Sequence, residues 1–216
     1  MYNFSMHDNN STYSKHTNLE TEERKGNWIQ TFSGQNFWPM DPRPEEIFTH
    51  DIAHSLSLIC RYAGHCREFY SVAQHCVLGT HLVPRHMALE FLFHDASEAY
   101  ISDLPKPVKV HLSQYKAVEE KIEEVIAERY GLKYPHEKEI KDMDWTLLAT
   151  EARDLMEVPK MAWFIPEGIR ALDYVIKPWK SSKAESLFHR HFELLTSKAY
   201  TEGKVSLDIF HDQVFI

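Results

Sequence analysis

Apolar positions along this chain fall into blocks of differing period, and each change of period marks an expected change of element. Residues 1–27 hold hardly any aliphatic side chains and are rich in Asn, Ser, Thr, Glu and Lys. Such a segment buries too little surface to offset its ordering entropy, so a flexible polar tail is expected, with His7 and His16 solvated. From Trp28 large apolar residues alternate (WIQTF, then SGQNFWP) around a turn signal at Ser33-Gly34, which predicts a short hairpin or extended arm. Pro39, Pro42 and Pro44 close it off.

Helical spacing follows. Ile47, Ile52, Leu56 and Ile59 form one stripe, and residues 72–83 and 87–99 carry two more, with Pro84 where one helix stops and the next begins. ISDLPKPVKV, residues 101–110, contains two prolines and reads as a loop. A charged amphipathic helix is expected over 112–130, closed by Gly131, another over 138–158, and a last long one over 180–200, with irregular chain between Pro159 and Pro178. No internal repeat interrupts this order. The pattern describes an all-α domain over residues 28–216, a helical bundle preceded by a short N-terminal extended arm or hairpin and by the tail.

Composition narrows the function classes. A chain of 216 residues can fill one core, and its seven glycines are few for a β fold with many tight turns. The net charge of -8 argues against a nucleic-acid polymer as partner, because non-specific affinity for a phosphate backbone comes from clustered Lys and Arg. No run approaches the roughly 20 apolar residues of a membrane span, and no basic and apolar leader opens the chain. Cys60, Cys66 and Cys76 form neither a CxxC pair nor a disulfide framework, which suits a reducing compartment. A cytoplasmic protein is expected, in the host cytoplasm if phage-encoded. Fourteen histidines are an excess that asks where they lie.

Three segments carry candidate chemistry. FLFHDASEAY, residues 91–100, presents His94 and Asp95 side by side, with Glu98 one helical turn on. SVAQHC places His75 in an otherwise apolar helix, and MDWTLLATEARDL opens on Asp144. Each has a plainer reading when taken alone: a surface His-Asp pair, a hydrogen-bonded core histidine, a helix N-cap. The acidic run Glu119, Glu120, Glu123, Glu124 reads as a solvated face, and His189, His191 and His211 lack ligand-spaced acidic partners apart from Asp212.

Taken together, His75, the His94-Asp95 pair and Asp144 spell H…HD…D. With QTFSGQNFWP, DIAHSLSLICRYAGH, FYSVAQHC and FHDASEAYISDLPKPVK, the chain from about Trp28 to Leu155 resembles the HD superfamily of metal-dependent phosphohydrolases. Within it, the chain is similar to short bacterial and phage 5'-deoxynucleotidases and dNTP-hydrolysing members, dATP-hydrolysing enzymes among them. HDASE followed by DLPKPVK is far more specific than HD alone.

The resemblance implies an HD-domain helical bundle in which His75, His94, Asp95 and Asp144 hold one divalent transition metal ion (Mn, Co, Ni or Zn, with Mg also admissible). Two imidazoles and two carboxylates suit such an ion and leave positions open for water and a phosphate oxygen. It further implies that Glu98 does general acid or base work, with orientation of His94 as the alternative. Asp103 would touch the sugar or the attacking water, or merely form a turn.

Arg61, at the end of the stripe Asp51, His54, Leu58, Arg61, would face the substrate phosphate, which a guanidinium binds bidentately. Tyr62 and Pro107 match positions that sandwich adenine in relatives, and Lys109, with less weight Lys106, would meet further phosphates. The expected partner is a small deoxynucleotide, most of all dATP, dADP or dAMP. Relatives form dimers or rings, so a homo-oligomer is expected, with Trp28, Phe37 and Trp38 of the arm as an interface.

Two competing functions are a hydrolase of signalling nucleotides and a non-catalytic nucleotide-binding regulatory module. The chain lacks a second His pair and a Gly-rich cyclic-dinucleotide motif, and it keeps Glu98, the carboxylate a degenerate binder would lose.

Overall fold

The computed structural model describes residues 23–215, so His7, His16 and most of the expected tail lie outside the described residues. Two short antiparallel strands, β1 (Ile29–Gln30) and β2 (Asn36–Phe37), pair Ile29 with Phe37. Ten helices follow: α1 (Thr49–Leu58), α2 (Val72–Thr80), α3 (Ala88–Phe93), α4 (Glu98–Ile101), α5 (Lys106–Lys109), α6 (Ser113–Tyr130), α7 (Lys138–Leu155), α8 (Ser181–Thr196), α9 (Lys198–Thr201) and α10 (His211–Val214). The fold is all-α with a two-stranded N-terminal hairpin. None of the described helices is long and apolar enough to cross a membrane.

The hairpin turn is pinned to α1 by the buried Asp51, which accepts from the Ser33 backbone N–H at 2.7 Å and from its hydroxyl at 2.8 Å. Upstream, Arg24 lies within the stretch expected to be a tail, yet it donates to Asp41 and Glu46, both at 2.6 Å. The arm differs from expectation at Phe37. It is fully buried and stacks on Tyr100 at 3.9 Å, because β2 turns it inward. Trp38 is half-buried beneath the Arg24 guanidinium, and Trp28, Ile29 and Phe32 are the exposed large apolar residues of the hairpin.

α8 forms the spine of the bundle and packs on α1, α2 and α3 through Ala184, Leu187, Phe188 and His191. α2 and α3 cross closely at Gly79, where a Cβ would sit 1.8 Å from the Phe91 ring. Ser71 caps α2 by accepting from Gln74 N–H, and Gly131 ends α6 in the left-handed conformation at φ +64, as glycine allows.

Several boundaries differ from the sequence reading. The helix expected over 87–99 stops at Phe93 and restarts at Glu98. Between them the bonds tighten to i→i−3, as in Ala96 N to Phe93 O and Glu98 N to Asp95 O. Three-residue turns of this kind re-aim neighbouring side chains. The proline-rich 101–110 stretch is not loop throughout, because α5 begins right after Pro105 with Pro107 in its first turn, where a missing N–H costs nothing. The last long helix breaks at Ser197, whose side chain caps α9. Glu119 is no solvated residue: it is buried and ion-paired to Lys109, and burial, with Glu119 adding to it, raises half-buried Glu123 to about 7.

Candidate active site

α2 and α3 are apolar on nearly every face, so a histidine on either is driven inside and has to find polar partners there. His75 is fully buried, and His94 closes the C-terminal end of α3. Their Nε2 atoms face each other at 3.2 Å. Asp144 Oδ1 lies 3.2 Å from His75 Nε2, and Asp95 Oδ2 lies 3.3 Å from His94 Nε2 and 3.6 Å from His75 Nε2. The structure thus brings together the four residues singled out as ligands, from α2, the turn after α3, and α7.

The far sides of both rings fix their orientation. His94 Nδ1 donates to Phe91 O at 2.7 Å, and His75 Nδ1 donates to Glu151 Oε1 at 2.6 Å. Each ring therefore offers its Nε2 to the centre, the outer arrangement that supports metal-binding histidines. Ligand atoms of His75, His94 and Asp95 lie within 4.8 Å of one another, and Asp144 joins them through His75. A proton can serve two such donors at once, whereas a divalent cation serves more, so the donor set fits the metal that the sequence implies.

The electrostatics agree. Burial and the Arg61 charge disfavour a proton on His75, but Glu151 and Asp144 outweigh them and raise it to about 9. His94 is lowered, by burial first and then by His75, with Asp95 opposing. Burial works against a charge on Asp144, yet the His75 contact holds its carboxyl well below the usual range. A cation binding at Nε2 takes the place of the His75 proton.

Glu98 stands on α4 beside this cluster. Its carboxylate is buried, and Oε2 has no hydrogen-bond partner. An orphaned buried carboxylate oxygen is costly unless water or a ligand completes it. Burial, then the Asp95 and Asp103 carboxylates, push Glu98 well above the usual range, as suits a proton carrier. Asp103 is half-buried and also raised by burial, with Arg61 opposing. The residue before it, Ser102, adopts φ 72, ψ 157, a region that side chains rarely occupy. That strained turn sets the direction in which Asp103 leaves the backbone.

Arg61 is not on α1, as its stripe suggested. α1 ends at Leu58, the Cys60–Ser71 bridge follows, and Arg61 N donates to Tyr70 O, which carries Arg61 sideways into the site. Its Nε donates to Glu151 Oε2 at 3.1 Å and its NH1 to Asp95 Oδ2 at 3.3 Å. Asp51 and His54, the other polar members of that stripe, face the hairpin and Glu185 instead. Tyr62 and Ala63 both hold positive φ, 58 and 50, so that the chain doubles back under the Tyr62 ring. Tyr62 donates to Glu151 at 2.5 Å. Lys109 is held by Glu119, Pro107 is exposed on α5, and Lys106 lies 4.0 Å above the Trp145 ring.

Glu151 is the residue that the sequence reading missed. Fully buried, it accepts from His75, Tyr70, Tyr62 and Arg61 at once. Burial disfavours its charge, but Arg61 and His75 hold its carboxyl down at about 2. The available signal was its position seven residues after Asp144, two turns along the same face of α7.

Comparison with known proteins places this geometry in context. The family described as 5'-deoxynucleotidase YfbR-like matches residues 46–157, a span that contains His75, His94, Asp95, Asp144 and Glu151. The chain is 45% identical over 170 residues to the protein YfdR of Escherichia coli K12, covering 78% of this chain and 96% of that one. It is 30% identical over 142 residues to a protein of Rhodobacter capsulatus, covering 59% and 72%. To a protein named 5'-deoxynucleotidase from Erwinia tasmaniensis it is 33% identical over 99 residues, 42% of each chain. The chain belongs to the YfbR-like 5'-deoxynucleotidase family and is an HD-type metal-dependent phosphohydrolase.

Proposed function

We propose that this enzyme removes phosphate from deoxynucleotides of the nucleotide pool, with dATP, dADP or dAMP preferred and deoxyadenosine plus phosphate as products, in the manner of a phage or prophage enzyme. The observation that carries the reading is the pair of inward Nε2 atoms 3.2 Å apart, flanked by two carboxylates and the orphaned Glu98 oxygen. The name of the Erwinia relative supports a deoxynucleotide. The matches of Arg61, Tyr62 and Pro107 to adenine-preferring relatives support the base. The exposed Trp28, Ile29 and Phe32 of the hairpin suit a homo-oligomer.

Each residue then has a task. His75, His94, Asp95 and Asp144 hold the ion, Mn, Co, Ni, Zn or Mg. When bound, that ion supplies Lewis-acid polarisation of the phosphoryl group and activation of water. Arg61, already braced by Asp95 and Glu151, sets its guanidinium charge beside the phosphate. Glu98 takes or returns a proton at its unpartnered oxygen, where burial and the Asp95 and Asp103 carboxylates raise its affinity for protons. Asp103 meets the sugar or the attacking water, and Lys109 can turn from Glu119 toward further phosphates.

The test is phosphate, pyrophosphate and triphosphate release from dNMPs, dNTPs and the matching ribonucleotides, with Mn, Co, Zn or Mg and with chelator. Metal-dependent release that favours dATP or dAMP is expected. Silence on every deoxynucleotide, with metal bound, would overturn the proposal.

A further inference from the structure

Residues 157–164 leave α7 without returning to the core, and every one of them is exposed. Four are large and apolar: Val158 at 90% exposure, Met161 at 83%, Trp163 at 38% and Phe164 at 79%. Single exposed apolar side chains are ordinary, but four within one short segment ask for an occupant. All four lie beyond residues 46–157 covered by the family match, so the reading of the shared site does not account for them.

The segment's two aromatic residues each pack on a ring whose chain neighbour belongs to the candidate site. Trp163 meets Tyr62 edge-on, with centroids 5.8 Å apart and planes at 89°. Phe164 meets Trp145 in the same manner at 6.1 Å, and the other partner of Trp145 is the Lys106 ammonium of α5. Tyr62 follows Arg61, whose guanidinium carbon lies 5.4 Å from the Tyr62 ring centre, and Trp145 follows Asp144. Asp144 has the most open side chain of the four candidate ligands, 40% exposed against 20% for Asp95 and none for His75. Trp163 and Phe164 thus pack on the chain neighbours of Arg61 and of the most open candidate ligand.

Edge-to-face contacts leave a broad ring face of each pair uncovered. A planar heteroaromatic ring is the complement to such a face, and stacking on it is tolerant of which base arrives. We infer that Trp163, with Phe164 beside it, forms the outer wall of a nucleobase slot and acts as a specificity-determining residue for substrates that carry a base. This rests on the proposed function, because it assigns the far end of the same substrate. Phosphate and sugar lie over His75, His94, Asp95, Asp144 and Arg61, and the base reaches outward to Trp163. A phosphate ester without a base gains nothing from the wall.

The experiment compares wild type with Trp163→Ala and Trp163→Phe on dAMP and on 2-deoxyribose 5-phosphate, using metal-loaded enzyme. Trp163 is exposed, so the fold should tolerate both changes. For dAMP the Trp163→Ala variant should raise KM about 10-fold or more, in line with the loss of one stacked base, with kcat within twofold. KM for 2-deoxyribose 5-phosphate should stay put, and Trp163→Phe should recover most of the dAMP affinity.

Equal changes for both substrates, or none for either, would overturn the inference. Wild-type enzyme inert on all deoxynucleotides would sink the proposed function but not this inference. Equilibrium binding of dAMP then decides: weaker binding by Trp163→Ala than by wild type upholds the wall, and equal binding removes it.

Discussion

Glu151 accepts the Nδ1 proton of His75 at 2.6 Å from a point two helical turns beyond Asp144, whose own carboxylate approaches the opposite nitrogen of the same ring at 3.2 Å. One face of α7 therefore grips both ends of the His75 imidazole. Asp144 faces the centre, and Glu151 sets the ring's tautomer and also anchors Arg61, Tyr62 and Tyr70. The orientation of the His75 ring and of the Arg61 guanidinium both hang on one buried side chain.

Glu151→Gln keeps the shape and removes the charge. Metal affinity should fall about 10- to 100-fold, as for other partners of ligating histidines. Stability should drop by about 3 kcal/mol or more, because buried Arg61 loses a counter-charge. Titration with Co, followed by its absorption spectrum, and urea unfolding read the two effects. Wild-type affinity and stability together would reduce Glu151 to a bystander.

Glu98→Gln separates chemistry from binding. The variant should hold metal as wild type does and lose about 100-fold or more in kcat, since it retains the shape but cannot give up a proton. Parallel metal analysis and single-turnover kinetics check this. A wild-type rate would make Glu98 a structural residue.

Gly79→Ala tests the crossing of α2 and α3. On helix propensity alone the change should stabilise by about 1 kcal/mol. The added Cβ would lie 1.8 Å from the buried Phe91 ring, whose centroid lies 6.0 Å from that of His75 and 4.3 Å from that of His94. Overpacking should win, with a loss of roughly 1–3 kcal/mol, a lower Tm and weaker metal binding. A raised Tm would show that the helices stand farther apart.

Away from the site, His191 Nδ1 donates to Leu187 O, so its Nε2 accepts from His81 Nε2 at 2.8 Å. Burial lowers His81 to about 4, with His211 adding repulsion and Asp208 opposing it, and lowers His191 to about 3, again by burial and then by His81. The unfolded chain binds these protons near pH 6.5. Between that pH and the folded values the unfolded state takes up more protons, so stability falls as pH falls. The fully buried His191 contributes about 1.4 kcal/mol per pH unit within the window and nothing above it. Urea unfolding at pH 7 and pH 5 should show a shallower loss for His191→Gln than for wild type; identical slopes would contradict the neutral pair.

Much of this was legible in the chain because local pattern and global fold agree. The hairpin turn at Ser33-Gly34, the α6 stop at Gly131 and the apolar helix around His75 appear where periodicity puts them. Asp144 was legible only through its match to a motif, since one aspartate near a helix start also reads as a cap. Arg61 was misplaced because a helical stripe was extended past Leu58, where backbone pairing between Cys60 and Ser71 takes over. Glu119 and Glu151 went unread for a shared reason. Burial of a carboxylate is decided by partners distant in sequence, Lys109 for one and Arg61 and His75 for the other, and helical spacing carries no trace of them. The tightening of residues 94–98 into three-residue turns likewise follows from convergence on the site rather than from local propensity.

The central claim, one catalytic divalent ion held by His75, His94, Asp95 and Asp144, meets its most direct test in reconstitution. Chelator-stripped enzyme would be titrated with Mn or Co while bound metal and phosphate release from dAMP are followed together, for wild type and for His94→Ala. The account predicts activity that rises in proportion to metal and saturates at one ion per chain, with neither metal uptake nor activity in the variant. Full activity in the stripped enzyme, or a His94→Ala variant that binds and turns over like wild type, would contradict it.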